Sequence, residues 1–131
     1  MGSKVFVSSN FRESCEPDKL DQLIADFKSY KLRGEKPEIF GRDAPYEFPS
    51  TVRQAELQHI HVKDSSSKRW NLEKLDFYKT SDSSLIYCKG FMNSNYYCLL
   101  GFLVNAHLTC RRNPMYLLHL AEIAEGFRSK F

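Results

Sequence analysis

His59-Ile60-His61 sets two imidazoles two residues apart. Side chains on a strand alternate between faces, so residues two apart share one. A strand over residues 57–63 would turn Ile60 and Val62 inward and stand His59, His61 and Lys63 together on the other face. Free imidazoles titrate at roughly pH 6.5, so the pair can supply both a proton acceptor and a proton donor at neutral pH. In-line cleavage of RNA by its own 2′-hydroxyl needs that combination. The same spacing also fits a solvated strand face carrying two histidines, or a pair of metal ligands.

No glycine-rich phosphate loop, GxSxG elbow or zinc-ligand series accompanies the pair. The remaining groups with chemical potential are Arg42-Asp43, His107 after the longest apolar segment, and the terminal Phe127-Arg128-Ser129-Lys130-Phe131. Asp43 can orient an imidazole or fix its loop through an ion pair with Arg42. Arg128 can hold a phosphate with its planar fork or simply end a helix in solvent. His107 fits capping as well as catalysis, and His119 fits packing or surface. Tyr78 and Trp70 are the aromatics singled out for stacking on bases. A metal-dependent nuclease would use His59, His61 and Asp43 as ligands. The sequence has no further carboxylate cluster beside them, so the expectation is metal-independent chemistry without a cofactor.

The chain that must position these groups has 131 residues, 42% hydrophobic and 27% charged, as expected of one globular domain over 1–131. No apolar run approaches the roughly 20 residues of a membrane span, and Met1 to Asn10 lacks a signal-peptide core. Cys15, Cys88, Cys98 and Cys110 have no CxxC spacing and read as reduced thiols. The expected setting is cytoplasmic, with no membrane partner. A net charge of +3 only permits an anionic partner. Located along the chain, the basic residues Lys63, Lys68, Arg69, Lys79, Lys89, Arg111, Arg112, Arg128 and Lys130 lie in the C-terminal two-thirds and could face phosphates.

The elements follow from periodicity. Lys4–Ser9 reads as an opening strand. Pro17 suits a first helical turn, Leu20, Leu23, Ile24 and Phe27 form one stripe, and Gly34 stops the helix. Residues 35–56, broken by Pro37, Gly41, Pro45 and Pro49, read as an ordered connecting loop anchored by Ile39, Phe40 and Tyr46. After the histidine strand come predicted strands at Leu75–Thr80, Leu85–Gly90 and Tyr96–Val104. Asn113 and Pro114 open a last helix with Leu117, Leu120, Ala121, Ala124 and Phe127 buried. The predicted order is β-α-β-β-β-β-α, an α+β domain with helices packed on a twisted antiparallel sheet.

Over residues 20–131 the chain resembles the YafO family of bacterial type II toxins, within the RelE/ParE group. The resemblance rests on Ala25-Asp26-Phe27 with Ser29-Tyr30-Lys31, on Ile39-Phe40-Gly41-Arg42-Asp43-Ala44, and on His59-Ile60-His61. Leu85-Ile86-Tyr87-Cys88-Lys89-Gly90, His107, Asn113 with Met115, and Ala121-Glu122 leading to Phe127-Arg128 and Phe131 complete it. It implies a RelE-like fold and a growth-inhibiting mRNA interferase that acts on the ribosome and is neutralised by a cognate antitoxin. His59, His61, Arg128, Asp43 and Arg42 are the expected catalytic set. Lys63, Lys79, Tyr78, His107 and Lys130 are expected to hold RNA. One departure is Lys79 before Thr80-Ser81-Asp82, where the family commonly has Arg; lysine keeps the charge and loses the bidentate fork. The competing functional class is a non-catalytic toxin of the same group that binds a DNA topoisomerase.

Overall fold

The computed structural model describes residues 2–67, 70–72, 75–104, 113 and 115–131. Five strands, β1 (Lys4–Val7), β2 (Phe40–Pro45), β3 (Gln58–Val62), β4 (Ser83–Lys89) and β5 (Tyr96–Leu103), form one sheet ordered β1-β5-β4-β3-β2. The β1–β5 pair is parallel and the others antiparallel, so the sheet is mixed at one edge. Around it lie α1 (Ser9–Ser14), α2 (Pro17–Arg33), α3 (Ser50–Gln54) and α4 (Met115–Lys130). The α+β class stands as expected.

Helix α2 starts at Pro17 and stops at Gly34, which takes the left-handed φ of 70° and donates its N–H to the Ser29 carbonyl. Its stripe buries Leu23 and Phe27 against Phe40, Ile60, Leu85, Tyr87 and Leu99 on one sheet face. Helix α4 buries Leu117, Leu120, Ala121, Ala124 and Phe127 against Ile86, Cys88, Cys98 and Leu100 on the other. Each large apolar side chain buried this way contributes about 1.5–3 kcal/mol. The sheet is therefore covered from both sides. Among the described residues, no helix is long and apolar enough to cross a membrane.

Two strand expectations are corrected. The segment 35–56 contains edge strand β2 and helix α3. An edge strand tolerates the punctuation that suggested a loop, because Pro45 ends it and Gly41 sits in an irregularity of its pairing with β3. Conversely, Leu75–Thr80 is no strand. Residues Asp76–Tyr78 form a 3₁₀ turn, and Asp76 pairs with Lys36 at 3.0 Å and Lys79 at 3.3 Å. The segment crosses the β2 edge, where the Lys79 carbonyl accepts from the Arg42 N–H at 2.9 Å. A β-carbon on Gly41 would collide with that carbonyl oxygen and lie 2.8 Å from the Trp70 ring, so only glycine allows this approach.

Candidate functional site

The register explains how the two histidines meet. His59 opposes Ile86 and His61 opposes Ser84 on β4, on the face that carries α4. On the other side, Ala44 opposes His59 and Asp43 opposes Ile60. Between Phe40 and Asp43 the register shifts, leaving both Gly41 and Arg42 across from His61. Such an extra residue bends an edge strand and re-aims its side chains.

The imidazoles lie 5.3 Å apart between ring centroids, as the spacing predicted. They are not on a solvated face, however. His61 is buried and His59 half-buried, with the turn at Ser81 against the one and the Tyr46 ring against the other. Every buried polar residue described (His61, Ser67, Ser81, Ser83 and Ser84) belongs to the strand ends and turns around this corner. The Ser81 N–H donates to His61 Nδ1 at 2.9 Å, and the Ser81 carbonyl lies 3.0 Å from the same nitrogen. Main chain can thus serve Nδ1 either bare or protonated. Ser81 is in turn pinned through its hydroxyl, which donates toward the Val62 and Ser83 carbonyls.

His59 is held differently. Its ring stacks on Tyr46 at 4.2 Å with 20° between planes, and its Nδ1 is buried with no hydrogen-bond partner among the described residues. Burial pulls its pKa down to about 4, helped by positive charge on His61 and Arg42 and opposed by Asp43. At neutral pH His59 is an uncharged imidazole.

Asp43 does not join them directly. It points to the α2 face, where Tyr30 Oη donates to it at 2.8 Å, Tyr87 Oη at 2.9 Å and Lys31 Nζ at 2.8 Å. Burial and this carboxylate push both tyrosine pKa values up. The three donors His59, His61 and Asp43 therefore do not converge on a metal position. No other group of three or more such side chains does so among the described residues.

Arg128 lies at the far end of the same face. It pairs with Glu56 at 2.7 Å and donates to the Lys89 carbonyl at 2.9 Å. Lys89 is five residues along β4 from Ser84, about 17 Å at roughly 3.4 Å per residue. Glu56 has the left-handed φ of 56° in the turn that leads into β3, and the ion pair with Arg128 holds that turn. The guanidinium is thus held where β3 begins, by Glu56 three residues before His59 and by the Lys89 carbonyl.

The other expected residues scatter. Lys63 is exposed and lines a separate groove with Asp18, Leu23 and Val62. Lys79 is tied to Asp76, Tyr78 is 58% exposed beside it, and Lys130 is exposed at the end of α4. Arg42 borders a cleft at the β2 edge with Tyr30, Lys36, Asp43 and Asp76. Trp70 is buried with its indole N–H donating to the Thr80 carbonyl at 2.8 Å, so it is a packing residue and no base platform. His119 is exposed. His107, Lys68, Arg69, Cys110, Arg111, Arg112 and Pro114 lie outside the described residues. Sequence reasoning missed Tyr46 and Ser81 as neighbours of the imidazoles. Tyr46 was visible only as a loop anchor, and Ser81 only as a turn residue.

A family model described as "Toxin YafO, type II toxin-antitoxin system" matches residues 28–129. A curated relative, the mRNA interferase toxin YafO of Escherichia coli (strain K12), is 30% identical over 132 residues, which span 98% of this chain and 99% of the relative. No solved structure matches the chain.

Proposed function

The chain belongs to the YafO toxin family of type II toxin–antitoxin systems, and from that membership we propose that it is an mRNA interferase. In this reading the chain acts as one toxin domain over 1–131. It cleaves mRNA on translating ribosomes in the cytoplasm and is silenced by a cognate antitoxin. The relative's name supplies the substrate class. The observation that carries the chemistry is the pair of imidazoles 5.3 Å apart at a corner of buried polar groups.

The reaction is transesterification without a metal. His59, uncharged at neutral pH, takes the proton of the 2′-hydroxyl as the 2′-oxygen bonds to phosphorus. His61, with the Ser81 carbonyl available to its Nδ1–H, gives a proton to the departing 5′-oxygen as the P–O5′ bond breaks. The products are a 2′,3′-cyclic phosphate and a 5′-hydroxyl. His59 gains one proton as His61 gives one up, so the net charge of the pair does not change. Arg42, across from His61 and close enough to His59 to lower its pKa, stabilises the developing phosphorane charge. Lys79, Tyr78, Lys63, Lys130 and His107 remain candidates for holding RNA, and Arg128 acts by fixing the turn into β3.

Positioned proton transfer contributes on the order of 100- to 10,000-fold. The double variant His59→Ala/His61→Ala is therefore expected to lose growth inhibition and mRNA cleavage, read by primer extension, while circular dichroism shows a folded chain. Full toxicity of that folded variant would instead favour a toxin that only binds its target, such as the topoisomerase-binding alternative.

A further inference from the structure

Tyr46 has no assigned role, and its position beside His59 gives it one. The imidazole is flanked by two rings, Tyr46 at 4.2 Å and nearly parallel, and His61 at 5.3 Å and tilted by 59°. Nδ1 has no hydrogen-bond partner among the described residues, and besides the Ala44 backbone across the strand pair it is the Tyr46 stack that bears on the plane of this ring. The charged groups that act on His59 are Arg42 on β2 and His61 on its own strand, with Asp43 acting through space from the opposite face of β2. Its β4 neighbours, Ile86 and Ser84, bring no charge. A proton arriving on His59 thus enters a half-buried site with two cationic neighbours. The face of an aromatic ring carries negative potential and attracts a cation stacked on it.

We propose that Tyr46 is a positioning residue for the proton-transfer step: its ring face orients His59 and stabilises the positive charge that His59 acquires as it takes the 2′-hydroxyl proton. The interaction is stronger with the charged imidazolium than with the neutral ring, so it lowers the barrier more than it strengthens substrate binding. This rests on the reading of His59 as the proton acceptor. Because the effect lies in the ring face, it is graded by aromatic type. Tryptophan has the strongest face, tyrosine and phenylalanine come next, and an aliphatic side chain has none.

The test is a series of full-length variants, Tyr46→Trp, Tyr46→Phe and Tyr46→Leu, assayed for cleavage of mRNA on ribosomes across pH. Histidine-selective NMR of the same proteins reports the His59 ring. For Tyr46→Leu the expected result is a fall in kcat of roughly 5- to 30-fold with KM changed less than about twofold. Its His59 ring protons should also lose the upfield shift that a stacked ring imposes, and its titration midpoint should move to lower pH. Tyr46→Phe is expected to restore rate, ring shift and midpoint. Tyr46→Leu with unchanged kcat and an unchanged His59 titration would overturn the proposal. So would equal losses in Phe and Leu, which would assign the effect to the hydroxyl. If Tyr46→Leu does not fold, the comparison of Trp with Phe decides, since a rate order of Phe above Trp contradicts the ring-face argument. Failure of the catalytic reading has a different signature: the His59→Ala/His61→Ala protein would still cleave.

Discussion

Asp43 and His59 sit on paired strands, one register position apart, and the sheet buries them in opposite ways. On the α2 face the Asp43 carboxylate is saturated by Tyr30, Tyr87 and Lys31. On the α4 face the His59 imidazole keeps one nitrogen unpaired and a depressed pKa. A saturated buried charge fixes a strand in place, whereas an unsatisfied buried base is costly to keep and ready to react. The contrast separates scaffold from site within a single hairpin.

The largest expected effect breaks the scaffold side. Asp43→Ala would strand two tyrosine hydroxyls and the ammonium of Lys31, whose side chain is only 16% exposed. Removing one partner of a buried pair costs about 3–5 kcal/mol, so a urea midpoint should fall sharply. A stability change under about 1 kcal/mol would mean the network is not holding β2 to α2.

A smaller effect tests the site side through pH. His59 has a folded pKa of about 4, below its unfolded value near 6.5. Between those values the unfolded chain binds the proton that the folded chain refuses, so stability rises with pH across this window. It is fully present above about pH 6.5 and is lost on acidification toward pH 4, by up to about 3 kcal/mol. Chemical denaturation from pH 7.5 to 4.5 should reveal that slope, and His59→Phe should flatten it. A slope that survives in His59→Phe would transfer the titration to another group.

The smallest effect is on stability at neutral pH, where the two faces should differ most plainly. His59→Phe keeps the stack on Tyr46 and removes an unpaired buried nitrogen, so its stability at pH 7.5 should lie within about 1 kcal/mol of the parent. Cleavage, by contrast, should vanish. A loss as large as that of Asp43→Ala would make His59 part of the scaffold.

Periodicity and local chemistry by themselves determined the helices that clamp the sheet and the pairing of the histidines. Leu23 and Phe27 at helical spacing with Gly34 as the stop, and Leu117 through Phe127 in one stripe, are local signals that packing had no reason to override. The alternation of β3 likewise dictated that His59 and His61 share a face. Only the tertiary structure decided which polar groups that face buries. Whether a strand face meets water depends on what packs over it: α4 covers β4 and β5 on this face, and the Ser81 turn and the Tyr46 ring pack against the imidazoles beside them. Edge strand β2 was illegible because glycine and proline read as loop until a neighbouring strand pairs with them. The turn at Asp76–Tyr78 read as a strand because alternation cannot reveal that ion pairs to Lys36 and Lys79 hold it curled. The end of α4 was tied to the start of β3 for the same kind of reason. Glu56 and the Lys89 carbonyl lie distant in sequence from Arg128, and folding alone brings them to it.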